Sequence, residues 1–299
     1  MLPEFNMLTP RTLSQALDML AAGGSEIAPL AGGTNLLVDM RGGRHRPNTL
    51  MDLGKLDELR SIQLDDDCVV VGGCAAIAEL VSNPLIAQHG PSLRDAAAML
   101  GNPLIRNRAT IAGNLVDGSP AADTVPPLLA LDAEVELASQ SGTRRVPLDE
   151  FLVGVRQTLR RPDELLTFIR WSIPPPRSSS AFYKIGLRKA DAIAVVSVGV
   201  MVSLDEDGHC ERARIALGSV APRVIRARAA EDTLRGQAMT DDLIAEAARL
   251  AAEATSPIDD LRGSADYRRR TAEALVRRLI GQLRAGFLEW ADFCIQPGR

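Results

Sequence analysis

The stretch GNPLIRNRATIAGNLVDGSPAADTVPPLLALD, residues 101–132, decides how the rest of the chain is read. It shows neither the 3.6-residue period of an amphipathic helix nor the alternation of a half-buried strand. Gly101, Gly113 and Gly118 supply backbone freedom that lets the chain pass close to a ligand, where a side chain would stand in the way. Thr110, Asn114, Ser119 and Asp123 are short polar groups set along an otherwise apolar thread. Glycines, small residues and short hydrogen-bonders in this order suit a loop wrapping a phosphate-bearing cofactor, its backbone N–H groups forming an anion-binding nest. A Gly/Asn/Ser-rich surface turn region fits the same residues.

A second loop shifts that balance. PLAGGTNL, residues 29–36, follows the apolar run Ile27–Leu30 and precedes Leu36–Met40, so it reads as a tight Gly-Gly turn between two ordered elements. Gly32 and Gly33 allow close approach, and Thr34 and Asn35 can hydrogen-bond. The loop is not a G-x-G-x-x-G dinucleotide fingerprint, and no G-x-x-x-x-G-K-[ST] occurs in the chain. Alone, a GGT turn says little. Followed about eighty residues later by ATIAGN and SPAAD, it says more.

With those motifs in hand the chain resembles the FAD-binding (medium) subunit of the molybdenum hydroxylases, the xanthine dehydrogenase and carbon monoxide dehydrogenase group. The matching segments are AGGTNL (31–36), RNRATIAGN (106–114), SPAAD (119–123), LLALDA (128–133) and YKIGLRKADAIAVV (183–196). ALGSVAP (216–222) and PIDDLRGSADYRR (257–269) follow in the family's order. The resemblance implies an α+β fold: a two-lobed FAD-binding domain of the PCMH type over 1–175, with lobes over about 1–55 and 56–175. A smaller α+β C-terminal domain, a three-stranded sheet plus helices, is expected over 176–299. It implies FAD on this chain, a molybdenum cofactor on a large partner subunit and [2Fe-2S] clusters on a small one, assembled as a dimer of heterotrimers. Substrate is then oxidised elsewhere, and electrons pass from the clusters through the FAD to NAD, O2, a quinone or another acceptor. No catalytic residue is expected on this chain.

The same resemblance assigns site residues. Leu30, Ala31, Gly32, Gly33, Thr34, Asn35 and Leu36 form one half of a cofactor cradle, and Ala109, Thr110, Gly113 and Asn114 the other. Facing across the two lobes, these loops are expected to share the pyrophosphate charge through N–H groups, without Lys or Arg. Asn35 stands where many relatives have an acidic residue. Ala122 and Asp123 follow, with Asp123 matching a position that bonds the ribityl chain or nearby flavin polar groups; capping the helix near Pro126 is the other reading of Asp123. Leu165 and Leu166 resemble residues flanking the flavin. Lys184 matches a residue near the ring, where a positive charge favours the anionic reduced form; from sequence alone it reads as a strand-end surface lysine. Arg188 and Asp191 fit the family pattern as a structural pair. His45 lies outside the loop, in the basic Arg41–Arg46 turn, and no His falls inside either Gly loop to anchor flavin covalently.

Composition narrows the classes. At 299 residues and 46% hydrophobic, the chain has room for two domains and an ample core. An aromatic share of 3% argues against base-stacking platforms, and a net charge of −4 leaves no electrostatic footprint for nucleic acid or an anionic membrane. No apolar run approaches the roughly 20 residues that span a bilayer. MLPEFNMLTPRTL lacks a basic then apolar leader, so no secretory signal is expected and the cytoplasm is the expected location. Cys68, Cys74, Cys210 and Cys294 are far apart with no C-x-x-C, and His45, His89 and His209 do not cluster. Neither a disulfide framework nor a metal site is expected.

Along the chain, Thr12 with Gln15 makes a capping box for a helix carrying Leu13, Ala16, Leu17, Leu20 and Ala21, which Gly23-Gly24 ends. Strands are expected at Ile27–Leu30, Thr49–Leu53, Cys68–Val71, Glu134–Ala138 and Leu165–Ile173, and helices at Leu36–Met40, Ile77–Val81, Leu93–Leu100 and Pro126–Leu131. Pro174–Pro176 with Ser178–Ser180 reads as the linker. Strands at Phe182–Lys189, Ala194–Leu204 and Arg212–Leu217 and helices at Ala227–Leu234, Asp241–Glu253 and Ala265–Leu288 follow. The last helix sets Leu275, Leu279 and Leu283 opposite Arg269, Arg277 and Arg284, a solvated or subunit-facing side. Two rivals to the electron-transfer subunit stay open: a free-standing flavin oxidase or reductase, and a flavin-free assembly scaffold.

Overall fold

The structure is a computed structural model that describes residues 2–188 and 191–295, with side chains as far as residue 287. It divides into two compact units, each treated on its own. The first takes Met1–His89, Ala97–Ser119 and Asp132–Ile173; the second takes Gly90–Ala96, Pro120–Leu131 and the chain from Pro174 onward.

The first unit opens with a parallel sheet of β1 (Asn6–Leu8), β2 (Ile27–Leu30) and β3 (Thr49–Asp52), ordered β1-β3-β2. The Leu13–Gly23 helix crosses between β1 and β2 and buries Ala16 and Leu20 against Met51, Leu53 and Leu56. Thr12 caps it as expected, its hydroxyl accepting from the Gln15 N–H at 3.2 Å. The reciprocal half of the box falls one residue early: the Gln15 side chain accepts from the Arg11 N–H. Gly24, at φ +51°, carries the chain out of the helix in a conformation that glycine adopts without a Cβ penalty.

Next come β4 (Ile62–Asp65), β5 (Cys68–Gly72), β6 (Glu134–Ser139), β7 (Gly142–Pro147), the hairpin β8 (Leu152–Gly154)/β9 (Gln157–Thr158), and β10 (Leu165–Ser172). Apart from the hairpin these form one antiparallel sheet, ordered β4-β5-β10-β6-β7. β10 is central and mostly buried, and Trp171 at its end donates to the His89 carbonyl at 3.0 Å.

The deciding stretch is not a continuous loop. Besides the expected helix, found at Val125–Ala130, it folds as two further short helices, Pro103–Arg106 and Ile111–Val116. Elements of four to six residues are too short to display a period, so their signals are the caps: Asn102 accepts from the Ile105 N–H and Thr110 from the Gly113 N–H.

In the second unit β11 (Ser178–Gly186), β12 (Ala194–Leu204), β13 (Cys210–Gly218) and β14 (Ile225–Arg226) pair consecutively and antiparallel. Two expectations need correcting. Ser178–Ser180 is not linker but the start of β11, in register with Ser203–Met201 of β12; the partner strand overrides a turn-like composition. The expected three strands gain a fourth, β14, pinned by a buried Arg226–Glu231 ion pair.

Every residue of β12 is buried because both faces are covered. Val196, Val198, Val200 and Val202 pack with Leu275, Leu279 and Leu283 of the Ala265–Ile295 helix and with the Asp241–Glu253 helix. Successive strand residues point to opposite faces, so Ser197 and Gly199 meet the Val125–Ala130 helix instead. A Cβ on Gly199 would lie 2.7 Å from the Pro126 carbonyl carbon. On the long helix Arg269 and Arg277 are exposed as expected. Arg284 is not simply solvated: it donates to the Met239 carbonyl and to Asp241.

Candidate functional site

The first unit contains a cavity of about 550 Å3, within the range that holds a sizeable ligand. Its wall includes Ala31, Gly32, Gly33, Thr34, Asn35 and Leu36 from the loop after β2, Ala109, Thr110, Gly113 and Asn114 around the Ile111–Val116 helix, and Leu165 and Leu166 at the start of β10. Twelve of the sixteen residues singled out in the sequence therefore line one cavity.

The loop after β2 is where an anion would sit. Gly33 takes φ +73°, the left-handed conformation found in backbone nests. Its carbonyls are used: Gly33 accepts from Leu37 N–H and Asn35 from Asp39 N–H. The five N–H groups of Gly32 through Leu36 have no acceptor among the described residues. Gly32 also serves a second need. A Cβ there would lie 2.0 Å from the Arg108 carbonyl oxygen, so this glycine lets the two loops pass against each other.

The second loop contributes shape more than donors, contrary to expectation. The N–H groups of Ile111, Ala112 and Asn114 donate to the carbonyls of Ala75, Gly73 and Thr110, and the Gly113 N–H donates to the Thr110 hydroxyl at 3.2 Å. Gly113 itself is open: a Cβ there meets only the Thr110 hydroxyl within 4 Å.

Four expected residues lie elsewhere. Leu30 is not part of the cavity wall; it packs with Leu36, Leu37, Met40 and Leu50 beneath the loop. Ala122, Asp123 and Lys184 belong to the second unit. Lys184 is not a surface lysine: it is buried, and its Nζ donates to Asp123 Oδ2 at 2.5 Å and to the Ala192 carbonyl at 3.1 Å. Burial pushes the Asp123 carboxyl up to about 6, with the Lys184 ammonium pulling the other way. Asp123 Oδ1 is buried and has no partner, so it has capacity for one more donor. Arg188 and Asp191 pair locally with each other.

Sequence reasoning missed the charged rim. Asp39, His45, Asp117, Arg156 and Arg160 all line the cavity. His45 lies outside the Gly loop in sequence, but the turn after the Leu36–Arg41 helix brings it to the cavity wall. Arg156, at the tip of the β8/β9 hairpin with φ +53°, donates to Asp39 Oδ2 at 2.8 Å and lies 3.5 Å from Asp117 Oδ1. It thus fastens the end of one loop's helix to the end of the other's. Burial opposes the Asp39 charge, but Arg44 and Arg156 outweigh it and hold the carboxyl below its ordinary range. Arg160 lies farther along the same segment; burial draws its guanidinium pKa down, against the carboxylates of Glu164 and Asp163. Asp39, Asp117 and Arg156 sit about 40 to 120 positions apart in sequence, and no local pattern links them. The cavity thus combines an apolar wall with unpaired backbone donors and a charged rim.

Known proteins share this fold. The family described as "FAD binding domain in molybdopterin dehydrogenase" matches residues 3–176, and that described as "CO dehydrogenase flavoprotein C-terminal domain" matches residues 181–283. The 6-hydroxypseudooxynicotine dehydrogenase complex subunit alpha of Paenarthrobacter nicotinovorans is 33% identical over 280 residues, 94% of each chain. The carbon monoxide dehydrogenase medium chain of Hydrogenophaga pseudoflava is 32% identical over 279 residues, covering 93% of this chain and 96% of that one. A solved structure of carbon monoxide dehydrogenase from Hydrogenophaga pseudoflava, lacking the Mo-pyranopterin moiety of its molybdenum cofactor, superimposes with a TM-score of 0.92 at 33% identity. The match covers 95% of this chain and 99% of that one.

Proposed function

The chain belongs to the FAD-binding subunits of the molybdopterin-dependent dehydrogenases, and from that premise we propose that it is the electron-transfer flavoprotein of a larger oxidoreductase complex. The observation that carries the reading is the run of five unpaired N–H groups, Gly32 to Leu36, on residues lining one cavity. Backbone amides in such a nest take a diphosphate without a mobile cation, and they are in place before the ligand arrives. Gly113, open where a Cβ would stand, leaves the ligand's path clear. Leu165 and Leu166 offer apolar wall, and the Arg156 clasp keeps the two loops at a fixed separation. These residues therefore fit FAD, which when bound supplies the capacity to take up electrons singly and release them in pairs.

Relatives named as a medium chain and as a complex subunit support partner chains, and one matched structure's description mentions a molybdenum cofactor. We carry over to this chain a large molybdenum-cofactor subunit, a small [2Fe-2S] subunit, a dimer of heterotrimers and an external acceptor. Purification of the full chain, addition of FAD and gel filtration test the cofactor. Flavin absorbance co-eluting with the protein supports the reading, and a colourless protein peak refutes it.

A further inference from the structure

Two arginines line the cavity, and their circumstances differ. Arg156 is half-exposed and already neutralised by Asp39 and Asp117. Arg160 is partly buried and has no carboxylate within 4 Å among the described residues. Glu164, whose charge acts on Arg160, is bonded elsewhere: both of its oxygens accept from Arg144, at 2.7 and 2.9 Å, and one also accepts from the Arg161 N–H. Arg160 is nevertheless held in place, because its Nη1 donates to the carbonyls of Arg161 and Glu164, at 3.0 and 2.8 Å. Nε and Nη2 have no protein acceptor. A guanidinium fixed through one nitrogen, drawn partly out of water and without a carboxylate in direct contact gains from an anion that completes it. Its remaining donors form the edge that a phosphate oxygen pair accepts from.

We infer that Arg160 is a cofactor-binding residue that supplies the positive charge for the diphosphate of the bound dinucleotide, complementing the neutral amides of Gly32–Leu36. This rests on the flavin reading above. Of the charged parts of FAD, the diphosphate is the permanent one, whereas the ring acquires charge only on reduction.

The test uses the full-length chain stripped of flavin and titrated calorimetrically with FAD and with ADP, which carries the diphosphate but no ring. Arg160→Gln is expected to weaken both ligands roughly 10- to 100-fold, as loss of a charged hydrogen bond does. It should also flatten the salt dependence of FAD binding, because one phosphate contact no longer depends on charge. Arg160→Lys keeps a cation and a donor for the two carbonyls, and is expected to restore the salt dependence with a smaller loss of affinity. That variant also separates binding from folding should the Gln variant melt early. Weakening of FAD with ADP unchanged would place Arg160 at the ring and overturn the assignment; so would an unaltered salt slope in Arg160→Gln. A wild-type chain that takes up no FAD overturns the flavin reading itself, whatever the variants do.

Discussion

Gly113 and Gly32 lie in the two loops of the cavity, and a side chain at each should fail in a different way. At Gly113, valine projects where a Cβ meets only the Thr110 hydroxyl, at 3.0 Å. Helix propensity favours valine over glycine by a few tenths of a kcal/mol. Disturbing the Thr110 cap costs up to about 1 kcal/mol, so stability should change by no more than about 1 kcal/mol. The added methyls stand in the ligand's space, and overpacking of about 1–3 kcal/mol corresponds to roughly 5- to 150-fold weaker FAD binding. At Gly32 even alanine places carbon 2.0 Å from the Arg108 carbonyl oxygen and 2.9 Å from the Ala109 Cα, both backbone atoms. The loops must separate by about 1 Å to relieve this, which costs about 2–3 kcal/mol and lowers Tm by about 4–10 °C. Thermal melts without flavin, followed by fluorescence titration with FAD, read the two effects apart. Gly113→Val binding FAD as tightly as wild type would refute the path of the cofactor, and Gly32→Ala melting like wild type would refute the contact between loops.

Three further outcomes follow from the charged groups. Arg156→Ala removes the clasp between Asp39 and Asp117; since Arg156 is half-exposed, stability should fall by no more than about 1 kcal/mol, whereas FAD dissociation, followed by dilution, should accelerate. An unchanged dissociation rate would mean that the hairpin does not hold the loops. Asp260 accepts from Arg262 and Arg268, and these hold its carboxyl well below the usual carboxylate range. A depressed folded pKa stabilises above the unfolded value, so wild type should lose more stability than Asp260→Asn in urea melts taken from pH 7 down to pH 3. Asp123 has the opposite sign: with its folded pKa raised by burial to about 6, its charge opposes folding above that pH. Relative to Asp123→Asn, wild type should therefore gain stability as pH falls from 7 to 5; parallel pH profiles for the two proteins would contradict the burial argument.

Much of the fold is legible along the chain because local physics sets it. β2 and β12 begin and end where their apolar runs do, and Thr12 caps the helix that follows it. Ser178–Ser180 was misread because its composition suits a linker, and only the backbone of β12 alongside makes it a strand. The charged rim was not legible for a related reason. Asp39, Asp117 and Arg156 are separately ordinary residues, and their meaning comes from one ion-pair network.

By itself the sequence determined which residue types were available at the cavity: two glycine turns, small polar groups beside them, and a family resemblance that named FAD. Tertiary structure decided what each one does. It gave Gly32 a loop-to-loop contact as well, occupied the amides of the Ile111–Val116 helix while leaving those of Gly32–Leu36 unpaired, and left Arg160 without a carboxylate in ion-pair contact. The physical reason is that hydrogen-bond capacity and charge balance are properties of neighbours in space. A motif states that a donor exists, and only the fold states whether another part of the chain has already used it.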